Sequence, residues 1–426
     1  MGSGVDNETP QPDTGQRLPS DHAPSQPAGL SRKDVVADSR RLSWGNYLAR
    51  VVLIVLALAG LFFTLVPWGR AGLRTLLLVP ELVALRPLAP IVANGEPIRH
   101  VSLTISSRGG PAYLDVWEPT ASPPPIPGAR QGILIIPGVG DNRAVPQLTN
   151  LNESLARSGL VVMTMTTHAL IDFVLSPADA DATVRAFQTL LHWPGVGATR
   201  AGIFGLSAGN VPASLAAADP RIRHQIAFLT FFGGLFNARD LMADIGRRAL
   251  IVNGKLEAWQ PNQVPLHVLA NTVAGTLPTS EGEEIRAAFD TSHPIPLTNA
   301  QVAALSPSAA AVYHILVGDQ RDQVQRNLDA LSPEMQQLLQ QLSPSTVVGQ
   351  ISAPIYLLHD RYDGHVPFTE SVNFAAALTQ LNRPHDLVQF SIFQHTQVSY
   401  SLDLGSLLRD LPRLLGAIHA ALMHST

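Results

Sequence analysis

The spacing of hydrophobic positions changes along the chain and divides it into segments. Residues 1–40 are rich in Pro, Ser, Gly, Asp and Gln and have almost no periodic apolar pattern, which is typical of a disordered segment. Residues 51–69 contain no charged side chain. A helix of that length would measure about 28 Å, close to the roughly 30 Å hydrocarbon thickness of a bilayer. With Tyr47 and Trp68 near its ends, the pattern predicts a transmembrane helix over residues 47–69.

Basic residues surround this predicted anchor unevenly. Those before it are Arg32, Lys33, Arg40, Arg41 and Arg50, and those after it are Arg70, Arg74 and Arg86. The excess before the span favours an N-terminus inside the cell and a C-terminal domain outside. A cleaved signal peptide is the alternative, but the segment before the apolar run is long for a signal peptide. Residues 70–99 are apolar, are interrupted by prolines, and are interpreted as a connector.

From about His100 onward, predicted strands alternate with predicted helices. The predicted strands are 132–136, 161–167, 201–206, 226–232, 354–358 and 387–393; the predicted helices are 145–158, 182–192, 208–218, 368–381 and 402–422. This alternation predicts an α/β fold with a doubly wound, mostly parallel sheet that helices cover on both faces. Val101–Ser107 and Tyr113–Glu118 flank a Gly-Gly-Pro break, which predicts an antiparallel hairpin at one edge.

Residues 237–350 interrupt this alternation. They contain several amphipathic helical patterns and no clear series of strands. The α/β core is therefore expected over residues 100–236 and 351–426, with 237–350 as a helical insertion. Within it, Ser280 and Glu283 have the spacing of a capping box, and Ser332 before Pro333 predicts the start of another helix.

The composition excludes several classes of function. Hydrophobic residues make up 46% of the 426 residues and charged residues 15%, which is ample for a large core. The net charge of −4 includes no basic excess, so we expect no nucleic-acid partner. The absence of cysteine excludes disulfides, thiolate nucleophiles and cysteine metal sites.

The sequence Gly205-Leu206-Ser207-Ala208-Gly209 lies between a predicted strand and a predicted helix. A sharp turn there exposes the serine hydroxyl, and glycines two residues on either side avoid collisions. The turn also places Ser207 at a helix N-terminus, where free amides favour developing negative charge. A glycine–serine turn without chemistry is the alternative, but the strand–turn–helix context favours a nucleophile.

A serine nucleophile requires a histidine that accepts its proton and a carboxylate that orients the histidine. Asp360 and Asp363 follow the predicted strand 354–358, and His395 follows the predicted strand 387–393. In a parallel sheet both loops open at the same edge as Ser207. The two histidines and two aspartates of residues 359–365 also allow a metal site, although a catalytic loop fits the strand context better.

At this point the chain resembles the α/β-hydrolase superfamily, in particular its dienelactone-hydrolase and prolyl-oligopeptidase-like branches. The order Ser207, Asp363, His395, with Val366-Pro367 after the acid, matches the family pattern and favours Asp363 over Asp360. The resemblance implies a Ser207–Asp363–His395 triad and an oxyanion hole formed by the amides of Val139 and Ala208. The family's usual His-Gly pair is Pro137-Gly138 in this chain. Residues 237–350 stand where the family often carries a lid.

The resemblance implies a serine hydrolase that cleaves a carboxylic ester or related acyl bond and needs no cofactor or metal. The expected partner is a small-molecule ester substrate, and the apolar insertion suggests that its acyl or alcohol group is hydrophobic. An acyltransferase would use the same residues with an alcohol in place of water. A silent scaffold that serves as a membrane-anchored binding protein is the alternative from another class. The intact set of three candidate residues argues against that scaffold.

Overall fold

The computed structural model describes residues 47–62, 66, 68–69, 71–73, 75, 95–120, 130–197, 199–391, 393–394, 397–398 and 404–423. The chain divides into two units, Met1–Gly60 and Leu61–Thr426. Residues 47–62 are helical. Among the described residues, no helix is at once long enough and apolar enough to cross a membrane. Residues 1–40, and parts of the predicted anchor and connector, lie outside the described residues.

The second unit is built around an eight-stranded sheet. Its strands are β1 (Ile98–Ser107), β2 (Gly110–Pro119), β3 (Gly132–Ile136), β4 (Val161–Thr167), β5 (Ala201–Leu206), β6 (Ile226–Phe232), β9 (Ile355–Asp360) and β10 (His385–Phe390). Two further pairs of strands lie outside this sheet: β7 (Ala249–Val252) with β8 (Lys255–Ala258), and β11 (Phe393–Gln394) with β12 (Gln397–Val398).

The strand order is β1-β2-β4-β3-β5-β6-β9-β10. β2 is antiparallel to both of its neighbours, and all other neighbouring strands of this sheet are parallel. The mostly parallel sheet and its antiparallel edge are therefore confirmed. The central strands β3, β4 and β6 are buried along their whole length, as continuous apolar runs predict for strands covered on both faces.

Helices connect the strands and cover the sheet. Those outside the insertion are α1 (Pro146–Arg157), α2 (His168–Ile171), α3 (Asp179–Leu191), α4 (Asn210–Ala218), α12 (Thr369–Gln380) and α13 (Leu404–Met423). One face of the sheet packs Leu155 of α1 and Leu422 of α13 in a single cluster. The larger cluster contains Phe187 of α3 and Phe374 of α12. The core therefore lies on both faces of the sheet.

The segment between β6 and β9 is largely helical. Its helices are α5 (Ala238–Arg247), α6 (Gln263–Ala274), α7 (Thr279–Ala288), α8 (Asn299–Ala304), α9 (Pro307–Val317), α10 (Val324–Asp329) and α11 (Pro333–Gln341). α11 begins as predicted, with the Ser332 hydroxyl accepting from the N–H of Met335. The predicted capping box at Ser280 is wrong, because α7 already begins at Thr279. The segment's capping box joins Thr298 and Gln301 at the start of α8.

Candidate active site

Ser207 lies at the sharp turn between β5 and α4. A short 3₁₀ turn, Ser207–Gly209, leads from the strand into the helix, so the predicted strand, turn and helix are all present. Ser207 has a φ of +50°, a left-handed conformation that costs energy for a residue other than glycine and must be held by its surroundings. Such strain is the local signature of an exposed nucleophile at a strand-to-helix turn.

The two glycines around Ser207 are required by close backbone packing. A Cβ on Gly205 would lie 2.8 Å from the Cα of Asn210. A Cβ on Gly209 would lie 2.2 Å from the carbonyl oxygen of Ile136. Both distances are shorter than real carbon contacts allow, so the turn closes this tightly only with glycine at both positions.

The loop after β3, residues 137–142, approaches Ser207 directly; we call it the oxyanion loop. A Cβ on Gly138 would lie 3.4 Å from the Oγ of Ser207. The side chain of Asn142 donates to the carbonyl of Val139 at 2.8 Å, and the N–H of Gly140 donates to the carbonyl of Leu170 at 2.7 Å. The loop is therefore held in place on both sides of Val139.

One proposed oxyanion donor, Val139, lies in the oxyanion loop, and the other, Ala208, directly follows Ser207. Within the described part of the chain, the N–H of Val139 has no hydrogen-bond acceptor. Ala208 follows Ser207 in the first turn of the 3₁₀–α4 helix, where backbone N–H groups lack intrahelical partners. Amides without an acceptor beside a serine hydroxyl are what the stabilisation of an oxyanion requires.

Asn210 fixes the helix start against the next strand. It is completely buried. Its Nδ2 donates to the carbonyl of Leu235 at 2.6 Å, and its Oδ1 accepts from the N–H of Leu235 at 2.9 Å. The carboxyl end of β6 and the helix that begins beside Ser207 are thus joined by one amide side chain.

Asp363 lies in the loop between β9 and α12, residues 361–368, which we call the acid loop. Its side chain is buried. Oδ1 accepts from the N–H of His365 at 2.7 Å and of Val366 at 3.1 Å, and Oδ2 lies 3.4 Å from the Nε2 of His359. Three residues of the same region therefore determine the orientation of this carboxylate.

The rival residues near Asp363 have structural contacts. β9 extends two residues further than the sequence predicts, so His359 and Asp360 belong to the strand. His359 is buried, with Nδ1 2.7 Å from the hydroxyl of Ser371 and Nε2 3.0 Å from the carbonyl of Val366. Both ring nitrogens are engaged in protein contacts, which disfavours this histidine as a metal ligand. Among the described residues no group of three or more His, Cys, Asp or Glu side chains is placed to hold a metal ion.

His395 lies outside the described residues. Its predicted contacts with Ser207 and Asp363 therefore fall outside them as well. The structure does place the strand that precedes it: β10 pairs in parallel with β9, and β10 ends at Phe390 opposite Asp360. The chain leading to His395 therefore leaves the sheet at the same edge as the acid loop.

Glu370, the second residue of α12, is a further buried carboxyl near the acid loop. Its Oε2 accepts from the N–H groups of Phe236 at 2.6 Å and Asn237 at 2.7 Å. Burial raises the pKa of Glu370 to about 8, although the two backbone donors act in the opposite direction. Burial likewise raises the pKa of Asp244, in α5, to about 7. The start of the insertion is thus joined to α12 through a carboxyl group that favours its neutral form.

Phe173 contacts the oxyanion loop from the other side and has no signal in the sequence. Its φ is +59°, which is a genuine outlier for a bulky residue. A Cβ on Gly140 would lie 3.3 Å from its ring, and the ring meets His267 of α6 edge to face at 5.2 Å. His168, the first residue of α2, is exposed and lies 3.5 Å from Asp172.

Asp141 and Arg143 pair with each other. Two hydrogen bonds of 2.8 Å join them, and the guanidinium lowers the pKa of Asp141. They line a cavity of about 600 Å³ together with His100, Asp115, Trp117 and Glu153. Neither Ser207 nor Asp363 lines this cavity.

The mostly parallel, helix-covered sheet fits an α/β-hydrolase-like fold. No family model and no curated protein matches the sequence. Among solved structures, a Mycobacterium tuberculosis puromycin-hydrolyzing peptidase is similar at 16% identity over 76% of this chain and 39% of its own, with a TM-score of 0.46. Porphyromonas gingivalis dipeptidyl peptidase 4 is similar at 13% identity over 79% of this chain and 37% of its own, with a TM-score of 0.45.

A third similar structure is Pyrococcus horikoshii acylaminoacyl peptidase, at 13% identity over 70% of this chain and 38% of its own, with a TM-score of 0.43. The chain spans about two fifths of the length of these three structures. The activities named for those peptidases are statements about those proteins alone.

Proposed function

We propose that this protein is a serine hydrolase that cleaves a carboxylic ester, or a related acyl bond, through an acyl-enzyme. Ser207 Oγ attacks the carbonyl carbon while His395 takes the hydroxyl proton, and Asp363 orients the imidazole and stabilises its cation. The amides of Val139 and Ala208 stabilise the oxyanion. The alcohol leaves with the proton held by His395. Water then attacks the acyl group, regenerating Ser207 and releasing the acid.

One observation carries this proposal: the strained left-handed backbone of Ser207 between two glycines that allow no Cβ, with Gly138 against its side chain. A turn that served only to connect a strand to a helix would not need a serine at a φ of +50°, since glycine adopts that conformation without strain. Conformational strain concentrates where a side chain must be presented to a substrate. The acyl-transfer assignment follows from the amides available around that side chain.

A fluorophosphonate probe tests the nucleophile. We expect the full-length protein to be labelled on the peptide that contains Ser207, with labelling abolished in Ser207→Ala. Ser176→Ala, which changes a serine that precedes α3 and accepts from the N–H of Ala178, is the matched control and should be labelled like the unmodified protein. No labelling, or labelling that persists in Ser207→Ala, would contradict the proposal and favour a silent scaffold.

The bond type is tested with matched p-nitrophenyl esters and peptide p-nitroanilides. We expect the esters to be cleaved faster and cleavage to persist in the presence of a chelator, because the proposed chemistry uses no metal. Faster cleavage of the anilides would point to a peptidase. Product analysis with added alcohols separates water from an alcohol as the acceptor, and predominant ester products would identify an acyltransferase.

We also propose that residues 47–69 anchor the chain in a membrane, on the basis of the uninterrupted apolar run over residues 51–69. The full-length chain should float with phosphatidylcholine vesicles in a density gradient and resist alkaline extraction. Leu58→Arg introduces a charge into the middle of the segment, which is costly in hydrocarbon, and should weaken flotation. A full-length chain that stays at the bottom of the gradient would rule out the anchor.

A further inference from the structure

Four contacts join the acid loop to one short stretch of the insertion, residues 257–262, which we call the Trp259 segment. The indole Nε1 of Trp259 donates to the carbonyl of Asp363 at 2.8 Å. The N–H of Asn262 donates to the carbonyl of Gly364 at 2.9 Å, and its side chain lies 2.9 Å from the Nδ1 of His365. Glu257 pairs with Arg361 at 3.1 Å. Along this interface, residues of the Trp259 segment thus contact acid-loop residues about a hundred positions later in the sequence.

These contacts act on the backbone that determines the direction of the Asp363 carboxylate. Oδ1 of Asp363 is held by the N–H groups of His365 and Val366. The Trp259 segment binds the carbonyls of Asp363 and Gly364. The Gly364 carbonyl belongs to the same peptide group as the N–H of His365. A shift of this backbone would therefore rotate the carboxylate, because the peptide group between Gly364 and His365 accepts from Asn262 and donates to Asp363, and the other two hydrogen bonds lie on the adjacent peptide groups.

The Trp259 segment is itself fixed inside the insertion. The N–H of Trp259 donates to the carbonyl of Arg248 at 3.0 Å. The buried guanidinium of Arg248 donates to the carbonyls of Leu316 and Val317, at the C-terminal end of α9, where a cation complements the helix dipole. The contacts run from the end of α9 through Arg248 and Trp259 to the carbonyl of Asp363.

We infer that Trp259 and Asn262 are positioning residues that set the geometry of Asp363, so that the insertion is part of the catalytic apparatus rather than a cover over it. This inference rests on the proposed function, in which Asp363 orients the general base. It requires that the insertion and the acid loop move as one body at this edge of the site. An opening of the insertion at this side would break the hydrogen bonds to the carbonyls of Asp363 and Gly364 and misplace the carboxylate.

Trp259→Phe tests the inference, because it keeps an aromatic ring and removes the N–H that binds the carbonyl of Asp363. The readout is fluorophosphonate labelling of Ser207 in the full-length protein, with the maximal rate and the half-saturating probe concentration measured across pH. We expect the maximal rate to fall about 10-fold with the half-saturating concentration unchanged, since small misplacements of a catalytic group act on the reacting geometry. The acid limb of the profile should move by a fraction of a unit toward lower pH, because a misaligned carboxylate stabilises the imidazolium less.

Trp193→Phe is the matched control. Trp193 packs partly buried against the core, and its indole N–H has no acceptor within the described part of the chain. Losing that N–H should leave both the labelling rate and its pH profile unchanged. An equal fall in the two variants, or no change in Trp259→Phe, would overturn the inference.

Asn262→Ser provides a second test if Trp259→Phe folds poorly. The serine hydroxyl can still cap α6, as the Asn262 side chain does for the N–H of Val264, but it cannot reach His365. We expect a fall in the maximal labelling rate of about 2- to 5-fold with unchanged thermal unfolding. Wild-type labelling in this variant would contradict the role of Asn262.

Asp363→Asn separates this inference from the proposed function. If Asp363 is the triad acid, its replacement should lower the labelling rate on the order of 10⁴-fold. Loss of labelling in Asp363→Asn together with normal labelling in Trp259→Phe would refute the positioning role alone. Normal labelling in Asp363→Asn would refute the proposed acid itself.

Discussion

The Cα of Gly138 faces the side chain of Ser207 so closely that a Cβ on Gly138 would lie 3.1 Å from the Cβ of Ser207. Such a contact is tight, and either the serine or the oxyanion loop would have to shift by a few tenths of an ångström to relieve it. Two parts of the proposed site would then separate: the hydroxyl and the amide of Val139. The relation between these two residues is therefore a sensitive point of the geometry.

Gly138→Ala should lower the fluorophosphonate labelling rate about 10-fold, since sub-ångström displacement of reacting groups reduces catalysis strongly. Its thermal unfolding should change little. Gly275→Ala is the control, because a Cβ at Gly275 meets nothing within 4 Å and its φ of −68° suits alanine. Unchanged labelling in Gly138→Ala would show that the loop yields without affecting Ser207.

Gly209→Ala should destabilise the fold itself. Its Cβ would lie 2.2 Å from the carbonyl oxygen of Ile136 and 2.6 Å from that of Pro137, and neither backbone atom can rotate away as a side chain would. We expect a loss of about 3 kcal/mol or more in the free energy of unfolding, as in severe overpacking. Urea denaturation measures this free energy. A denaturation midpoint close to that of the unmodified protein would mean that the turn has room for the added Cβ.

Asn210→Ala should cost about 2–4 kcal/mol in the free energy of unfolding, because it leaves the buried N–H and carbonyl of Leu235 without partners. Asn299→Ala, at an exposed position of α8, serves as the control and should change that free energy by less than about 0.5 kcal/mol. Equal denaturation midpoints for the two variants would contradict the role given to Asn210.

Glu370 should make the protein less stable as pH rises. Its pKa in the folded protein, about 8, exceeds the usual value of 4.5, so the native state holds a proton that the unfolded state has released. The contribution of Glu370 to the free energy of unfolding is therefore fully present below pH 4.5 and is lost as the pH rises through 8. Asp244, with its pKa raised to about 7, contributes with the same sign.

Glu370→Gln should flatten the decline of the free energy of unfolding between about pH 5 and 8, without abolishing it, since Asp244 remains. The amide oxygen can still accept from Phe236 and Asn237. Urea denaturation at several pH values provides the measurement, with the exposed Glu283→Gln as control. An unchanged slope in Glu370→Gln would show that this carboxyl group is ionised in the folded protein.

The sequence predicted the central strands and the turn at Ser207 because their signals are local. A strand buried on both faces is a continuous apolar run, and the glycines beside Ser207 are adjacent to it. The hairpin β7–β8 was missed because every residue of Lys255–Ala258 is exposed. That strand therefore has no alternation of buried and exposed residues. The contacts of Trp259 and Phe173 were also missed: Trp259 meets Asp363 across 104 positions, and no periodicity connects them.

The pairing of β6 with β9 has a consequence for the order in which the protein is made. Leu229 lies opposite Ile355 in the sheet, and the whole insertion separates them along the chain. A nascent polypeptide that has emerged as far as β6 already contains the Ser207 turn and the loop of Gly138, but neither Asp363 nor His395. Pairing across so long a connection is slow, because its closure entropy must be overcome before any contact forms. During synthesis the proposed nucleophile therefore emerges well before the groups proposed to activate it, and a chain that ends within the insertion would lack both of those groups.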